Sequence, residues 1–226
     1  MIVGQGLLAT NFTGEFEQRM DIVIFASGVS NSQERDQSAF LREQVLLEKV
    51  LQNNKKIVYF STCSLYDPEL EDSPYVLHKR AMEALIKKTS HYAIFRLPQV
   101  VGRTENAKTL TNFLYAKIMA GEHFDIWRHA KRNLIDVSDV ALIAKYLIND
   151  NQADQQTTNI ACPTSIAITD LIKTFELVLE KSAHYSLIEA GGAYPIETKL
   201  ATSVAEQVGI YFDDTYIERV VRKYYG

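Results

Sequence analysis

Lys56-Ile57-Val58-Tyr59-Phe60-Ser61-Thr62-Cys63-Ser64-Leu65-Tyr66 and, a few residues on, Ser73-Pro74-Tyr75-Val76-Leu77-His78-Lys79 decide how this chain folds. The first stretch is an apolar run, Ile57 to Phe60, that ends in hydroxyl residues. The second opens a helix at Pro74, a residue suited to a first helical position, and runs to about Lys88. A buried strand, a polar turn and a helix make one βα step, and the same alternation continues on both sides. Toward the start, Ile22 to Ala26 is a strand closed by Ser27-Gly28. Arg35 to Leu51 has a helical period that sets Phe40, Leu41, Val45, Leu47 and Leu51 toward the core. Ile2-Val3 is a very short first strand before Gly4-Gln5-Gly6, with a short helix expected after it. Toward the end come a strand at Tyr92 to Arg96, a helix from Leu110 to Ala120 stopped by Gly121, and a helix N-capped by Asp139. A strand at Thr158 to Ala161, a helix capped by Thr169-Asp170 and a final amphipathic helix complete the pattern.

This alternation predicts an α/β fold, a Rossmann-type parallel sheet with helices on both faces. A single domain over 1–226 is expected, with a small substrate lobe formed mainly by about 104–131 and 163–226. The chain has 226 residues, 46% of them apolar, enough for one sizeable core. Its formal net charge of -4 argues against a nucleic-acid partner, which usually meets a basic surface. No run of about 18 apolar residues occurs, so no membrane span is expected. Nor do the first residues read as a leader, so a cytoplasmic protein with reduced thiols is the expectation. Cys63 and Cys162 and the five histidines form no metal-ligand spacing.

Three places carry chemistry. Gly4-Gln5-Gly6-Leu7-Leu8-Ala9 fits G-x-G-x-x-A between a strand and a helix, where glycines let a backbone approach a pyrophosphate. Tyr75 and Lys79, four apart, share a helix face. A nearby ammonium favours phenolate, so Lys79 is expected to lower the Tyr75 pKa and make the phenol a usable proton donor and acceptor. Y-x-x-x-K occurs by chance in many helices, but here a hydroxyl at the end of the preceding strand, Thr62, stands ready to bond a carbonyl oxygen. In open parallel sheets ligands bind at that end. Cys63 reads as a small buried residue and Trp127 as a packing residue.

In these motifs the chain resembles the extended short-chain dehydrogenase/reductase family of nucleotide-sugar epimerases, dehydratases and reductases. Phe60 to Tyr66 is similar to the family's strand ending in Ser-Ser-x-x-Val-Tyr-Gly, with Thr62 on the catalytic Ser/Thr. Ser73 to Lys79 is similar to S-P-Y-x-x-x-K. Arg96 to Gly102 is similar to L-R-x-x-N-x-x-G, with Gln99 where asparagine is usual. Arg132 to Asp139 is similar to R-D-F-I-x-V-x-D, and Asn159-Ile160 to a late Asn-Ile strand. The resemblance implies Thr62, Tyr75 and Lys79 as catalytic residues. It implies NAD or NADP on Gly4, Gly6, Leu7, Ala26, Ser27, Tyr75 and Lys79. It also implies a nucleotide sugar whose diphosphate meets Gln99 and Arg132, and a homodimer as the assembly. Asp136 and Asp139 read as structural.

The resemblance also has a gap. Two βα units that the family places between the glycine turn and the strand at Ile22 are replaced by Thr10 to Met20, too short for even one crossover. The Ile2-Val3 strand should therefore lie directly beside Ile22 to Ala26, at the sheet edge. The adenosine side of the cofactor site should then be open, with no residue to read the ribose. The leading expectation is a reductase of a keto nucleotide sugar with Tyr75 as proton donor. A 4-epimerase uses the same residues, and a non-catalytic nucleotide or nucleotide-sugar binder is the reading from another class. Cys63-Ser64 stand where the family's dehydratases have Asp-Glu, which disfavours a 4,6-dehydratase.

Overall fold

The computed structural model describes all residues, 1–226. Its elements, in chain order, are β1 (Ile2–Val3), β2 (Ile22–Phe25), α1 (Gln37–Leu51), β3 (Lys56–Thr62), α2 (Pro74–Ile86), β4 (Tyr92–Leu97), β5 (Gln99–Val101), α3 (Leu110–Ala120), β6 (His123–Trp127), β7 (Lys131–Arg132), β8 (Leu134–Asp136), α4 (Val137–Asn149), β9 (Gln156–Asn159), β10 (Ile166–Ala167), α5 (Ile168–Leu179), β11 (His184–Ile188), α6 (Lys199–Gln207) and α7 (Tyr216–Tyr225). Five strands pair in the order β1-β2-β3-β4-β9, all parallel. As expected for a parallel sheet covered on both faces, β2 is buried throughout.

Alternation along β3 divides the core. Ile57 and Tyr59 join Val23, Phe25, Leu47, Val50, Met82, Ile86 and Ile94 beneath α1 and α2. Val58 and Phe60 face the other way, into a larger core that takes in Phe12, Phe16, Phe95, Leu147, Phe175 and Val204. The register with β4 sets Thr62, the last residue of β3, opposite Leu97 at the carboxyl end of the sheet.

The shortened beginning folds as the sequence predicts. β1 lies at the edge, with Ile2 opposite Ile24 and Val3 opposite Phe25. No strand intervenes between them. The segment after Gly6 is a four-residue 3-10 turn, Ala9–Phe12, rather than a helix proper. It sinks Phe12 and Phe16 completely into the larger core, with Phe12 against Phe60 at 5.4 Å.

Several boundaries differ from expectation for identifiable reasons. Asp136, not Asp139, caps α4, because its carboxylate accepts the Ser138 N–H at 2.7 Å. Asp139 sits inside the first turn and accepts the Tyr216 hydroxyl at 2.7 Å. Thr169 and Asp170 lie within α5, whose start at Ile168 has no side-chain cap. The late strand begins two residues earlier, at Gln156. On α1 the buried stripe is Phe40, Glu43, Leu47 and Val50, while Leu41 and Val45 are more than half exposed. Trp127, expected to pack, is 46% exposed at the end of β6.

The remaining strands pair in twos, β5 with β8, β6 with β11 and β7 with β10. The last helix is latched onto the cap of α4. Lys223 Nζ and the Tyr224 hydroxyl both donate to the Asp136 carboxylate, at 2.7 and 2.8 Å. Asp136 and Asp139 are thus structural. No helix is long and apolar enough to cross a membrane.

Candidate active site

Thr62 ends β3 in extended conformation. Its Oγ1 accepts the Ser64 N–H and donates to Ser64 Oγ, both at 3.0 Å, so the hydroxyl caps the tight turn Cys63–Tyr66. Ser73 caps α2 through the Val76 N–H at 3.2 Å. Tyr75 follows as the second helical residue and is buried. Burial pushes the Tyr75 phenol up to about 12; the nearby Thr62 hydroxyl pulls the other way, and Glu43, Cys63 and Tyr194 add to the rise. The structure thus brings Thr62 and Tyr75 together.

Lys79 behaves otherwise than expected. Its ammonium is 2% exposed and 5.9 Å from the Tyr75 ring centre, without a hydrogen bond to the phenol. It donates to Glu43 Oε1 at 3.0 Å, Glu43 Oε2 at 3.3 Å and the Tyr59 hydroxyl at 3.1 Å. An ammonium has three protons, and all three face protein acceptors. The expected lowering of the Tyr75 pKa by Lys79 is therefore not what the geometry produces.

Glu43 is the centre of this cluster. Besides Lys79 it takes the Tyr59 O–H at 2.6 Å and the Val29 N–H at 2.6 Å, and it meets His78 Nε2 at 2.9 Å. Burial pushes its carboxyl upward, but His78, Lys79, Tyr59 and Val29 outweigh burial and hold it at about 2. Burial lowers Lys79, and Glu43 draws it back only in part. Gly28 closes the cluster from above. A Cβ there would come within 2.6 Å of Lys79 Nζ and 2.9 Å of Glu43 Oε1, so only glycine fits.

The glycine turn adjoins this wall. Gly4 has φ +125°, and a Cβ on it would strike the Ala26 carbonyl oxygen at 2.4 Å. Ala26 N–H in turn bonds the Val3 carbonyl at 2.8 Å. A Cβ on Gly6 would meet nothing within 4 Å. Leu7 packs against Gly102, where a Cβ would come within 2.6 Å of its Cδ1. Gly4, Gly6, Ala26 and Ser27 thus lie along one side of the sheet's carboxyl edge, with Thr62 and Tyr75 on the other. After the glycine turn comes only a four-residue 3-10 turn, which supplies no helix dipole.

Toward the substrate side, Arg132 is half-buried on β7, and its Nη1 donates to the Lys131 carbonyl at 2.9 Å. Gln99 is exposed at the start of β5, where its N–H bonds the Asn133 carbonyl at 3.1 Å. Between them and Thr62 comes Tyr194, which sequence reasoning missed. Burial raises its phenol to about 12, with Asp67 and Cys63 adding and Arg132 and Ser64 opposing. Tyr194 is carried by a segment pinned at Glu197, whose carbonyl accepts Asn159 Nδ2 at 2.9 Å. Asn159 Oδ1 accepts the Tyr66 hydroxyl at 2.9 Å. Tyr194 also lines a cleft with Lys131, Asn133, Thr164 and Pro195. Cys63 is fully buried and its thiol is raised to about 12, which makes it a packing residue and not a nucleophile. No group of three or more His, Cys, Asp or Glu side chains is placed to hold a metal ion.

Several solved structures share this architecture. Thermus thermophilus UDP-glucose 4-epimerase in complex with NAD superposes with a TM-score of 0.71 and 14% identity, over 91% of this chain and 77% of that one. Bacillus cereus UDP-glucuronic acid 4-epimerase in complex with NAD gives 0.70 and 15%, over 98% and 78%. RMD from Pseudomonas aeruginosa complexed with NADPH gives 0.68 and 17%, over 97% and 86%. At such identities the likeness is one of fold. No curated protein matches the chain in sequence. Residues 8–161, which begin just after the glycine turn and run through Thr62, Tyr75 and Arg132 to the strand at Asn159, match the NAD dependent epimerase/dehydratase family, and the chain belongs to that family.

Proposed function

We propose that this protein is an NAD(P)-dependent reductase of a keto nucleotide sugar. The observation that carries the reading is the pairing of Thr62 with a buried, high-pKa Tyr75 at the carboxyl end of β3. A phenol that stays protonated near neutral pH is suited to give a proton and poorly suited to take one. Reduction of a carbonyl needs a donor. A 4-epimerase would use the same pair in both directions, with Tyr75 first as base and then as acid.

Thr62 would bond the sugar carbonyl oxygen, exchanging its present bond to Ser64 Oγ for one to substrate. Tyr75 would protonate that oxygen as it gains charge. When bound, NAD(P)H supplies the hydride, and Gly4, Gly6, Ala26 and Ser27 would hold it. Arg132 suits a diphosphate because a guanidinium matches phosphate oxygens in two-pronged fashion. Tyr194 would lie over the sugar between Thr62 and Arg132.

Keto nucleotide sugars offered with NADH or NADPH should be reduced, followed as loss of nicotinamide absorbance. Tyr75→Phe should keep its thermal stability and lose about 10²- to 10⁴-fold in turnover, the usual weight of general acid catalysis. Turnover at the parent rate would remove Tyr75 from the chemistry. Binding of the nucleotide sugar with no turnover in either direction would favour the non-catalytic binder.

A further inference from the structure

A dinucleotide brings a diphosphate to a glycine turn, and its charge is ordinarily met by the N-terminus of the helix that follows. Here only the four-residue turn Ala9–Phe12 follows. A Cβ on Gly6 would meet nothing within 4 Å, so the space over the turn is open. A counter-charge for a diphosphate placed there has to come from a side chain. Most cations on this side of the sheet are already committed. Arg19 is held by Asp21 at 2.7 Å, Lys56 by Asp154 at 2.8 Å and the buried Lys79 by Glu43 at 3.0 Å.

Arg103 is exposed and pairs with no carboxylate. It directly follows Gly102, and Gly102 is wedged against the glycine turn: a Cβ there would lie 2.6 Å from Leu7 Cδ1 and 2.8 Å from Val137 Cγ1. Arg103 is thus one residue from a contact with the residue after Gly6. The loop that carries it is pinned. Asn112 Nδ2, on α3, donates to the Thr104 carbonyl at 2.8 Å and the Asn106 carbonyl at 3.0 Å, and Asn112 Oδ1 accepts the Tyr225 hydroxyl of α7 at 2.7 Å. A cation on a pinned loop gives up less freedom on meeting a ligand than one on a free loop. We infer that Arg103 is a cofactor-binding residue, whose guanidinium meets the diphosphate of NAD(P)H over Gly6 and supplies the charge that a following helix would otherwise give. A guanidinium matches phosphate oxygens in charge and geometry. The inference rests on the reading of Gly4 and Gly6 as the turn that holds NAD(P)H. It concerns the diphosphate that both cofactors share, so it adds affinity without discrimination.

The experiment compares the parent with Arg103→Lys, Arg103→Ala and Arg103→Glu. Binding of NADH and NADPH is followed by fluorescence, and binding of ADP and UDP by calorimetry. The side chain is exposed, so the melting temperature should not move in any variant. Arg103→Ala should weaken NADH and NADPH alike by about tenfold or more. Arg103→Lys should lose less, because it keeps the charge, and Arg103→Glu should lose more. ADP carries the diphosphate without the nicotinamide and should follow the same order. Added salt should weaken NADH binding to the parent more than to Arg103→Ala. UDP probes the substrate side and should bind all four proteins equally. Parent affinity for NADH in Arg103→Ala and Arg103→Glu overturns the inference. So does a loss shared equally by UDP and NADH, the mark of a general surface field, or a loss for UDP alone, which would place Arg103 with the substrate. Weakened cofactor binding in a protein that reduces no keto sugar would keep the Arg103 site and refute the proposed reaction. Unweakened binding in an active reductase would do the reverse.

Discussion

The two halves of the proposed dinucleotide site are built to different degrees. At the nicotinamide end, β3, α1, α2 and the loop after β2 converge on a closed cluster in which Glu43, Tyr59, Lys79 and Val29 satisfy one another. At the adenosine end, a two-residue edge strand and a four-residue turn stand where further βα units would lie. Yet the fold is not left open there, because Phe12 and Phe16 fill the core beside Phe60. Losing strands from a sheet edge uncovers one face of one strand, and two phenylalanines can cover it. Losing a partner from a buried ionic cluster has no such remedy. Edge material is thus dispensable for folding while still being needed to read a ligand.

The largest expected effect sharpens that contrast. Lys79→Met should destabilise the protein by about 3–5 kcal/mol, because Glu43 would remain buried without its cation. The exposed pair of Arg19 with Asp21 at 2.7 Å, on the shortened side, is the control. Arg19→Ala should cost less than about 1 kcal/mol. Acid gives a second reading of the same cluster. Glu43 is held at about 2, below the ordinary value of 4.5. Between those values the unfolded chain binds the proton more readily, so the stability that Glu43 supplies is complete above pH 4.5 and is lost as pH falls toward 2. Chemical denaturation across that range should show the loss in the parent and a shallower one in Glu43→Gln. Equal costs for Lys79→Met and Arg19→Ala would erase the contrast.

The same contrast governs what the sequence disclosed. The apolar runs and the Pro74 start located β3 and α2, and the short gap before Ile22 correctly placed β1 beside β2, because chain length alone forbids a crossover. On α1 the sequence points the wrong way: Leu41 and Val45 are apolar yet exposed, while the buried stripe, Phe40, Glu43, Leu47 and Val50, contains a charge. Its spacing of three, four and three is helical, so a carboxylate in a core stripe was the available signal for the cluster around Lys79. Asp136 and Asp139 are near-equivalent caps in sequence, and only the hydrogen bond to Ser138 separates them. Tyr194 had no signal, because it is brought beside Ser64 and Arg132 on a segment pinned by a bond between Glu197 and Asn159 that no local pattern encodes.

A smaller effect is expected on the substrate side. Arg132→Ala should weaken binding of a nucleoside diphosphate by about 1.5–3 kcal/mol, the range for a charge-assisted contact, and leave NAD(P)H affinity unchanged. Arg132 is not locked in a buried pair; its side chain reaches only the neighbouring Lys131 carbonyl. The substitution should therefore leave the melting temperature nearly unmoved. Calorimetric titration of a nucleoside diphosphate with equal affinity for parent and variant would mean that Arg132 is a surface charge.

The smallest effect concerns the adenosine half itself. Discrimination between NADH and NADPH rests on a side chain at the ribose 2′ position, an acid for the hydroxyl or a cation for the phosphate. β1 is followed by Gly4 and Gly6 and then by the buried turn, and the strand that would carry such a reader is missing. The cation closest to this edge in sequence, Arg19, is engaged on both its Nε and Nη2 by the Asp21 carboxylate at 2.8 and 2.7 Å, and its Nη1 reaches Asn149. Its charge is already balanced, so a 2′-phosphate would gain little there. The two cofactors should bind within about tenfold of one another, a difference of less than about 1.4 kcal/mol. Both should bind weakly, because contacts at the nicotinamide end must supply most of the affinity. Gly6→Val should weaken both alike, since a side chain at that turn would stand where the backbone passes closest to a diphosphate. Fluorescence titrations of parent and variant with each cofactor measure this. A preference well beyond tenfold would show that the shortened edge carries a reader after all, and Arg35, exposed in the loop before α1, would be the first residue to replace.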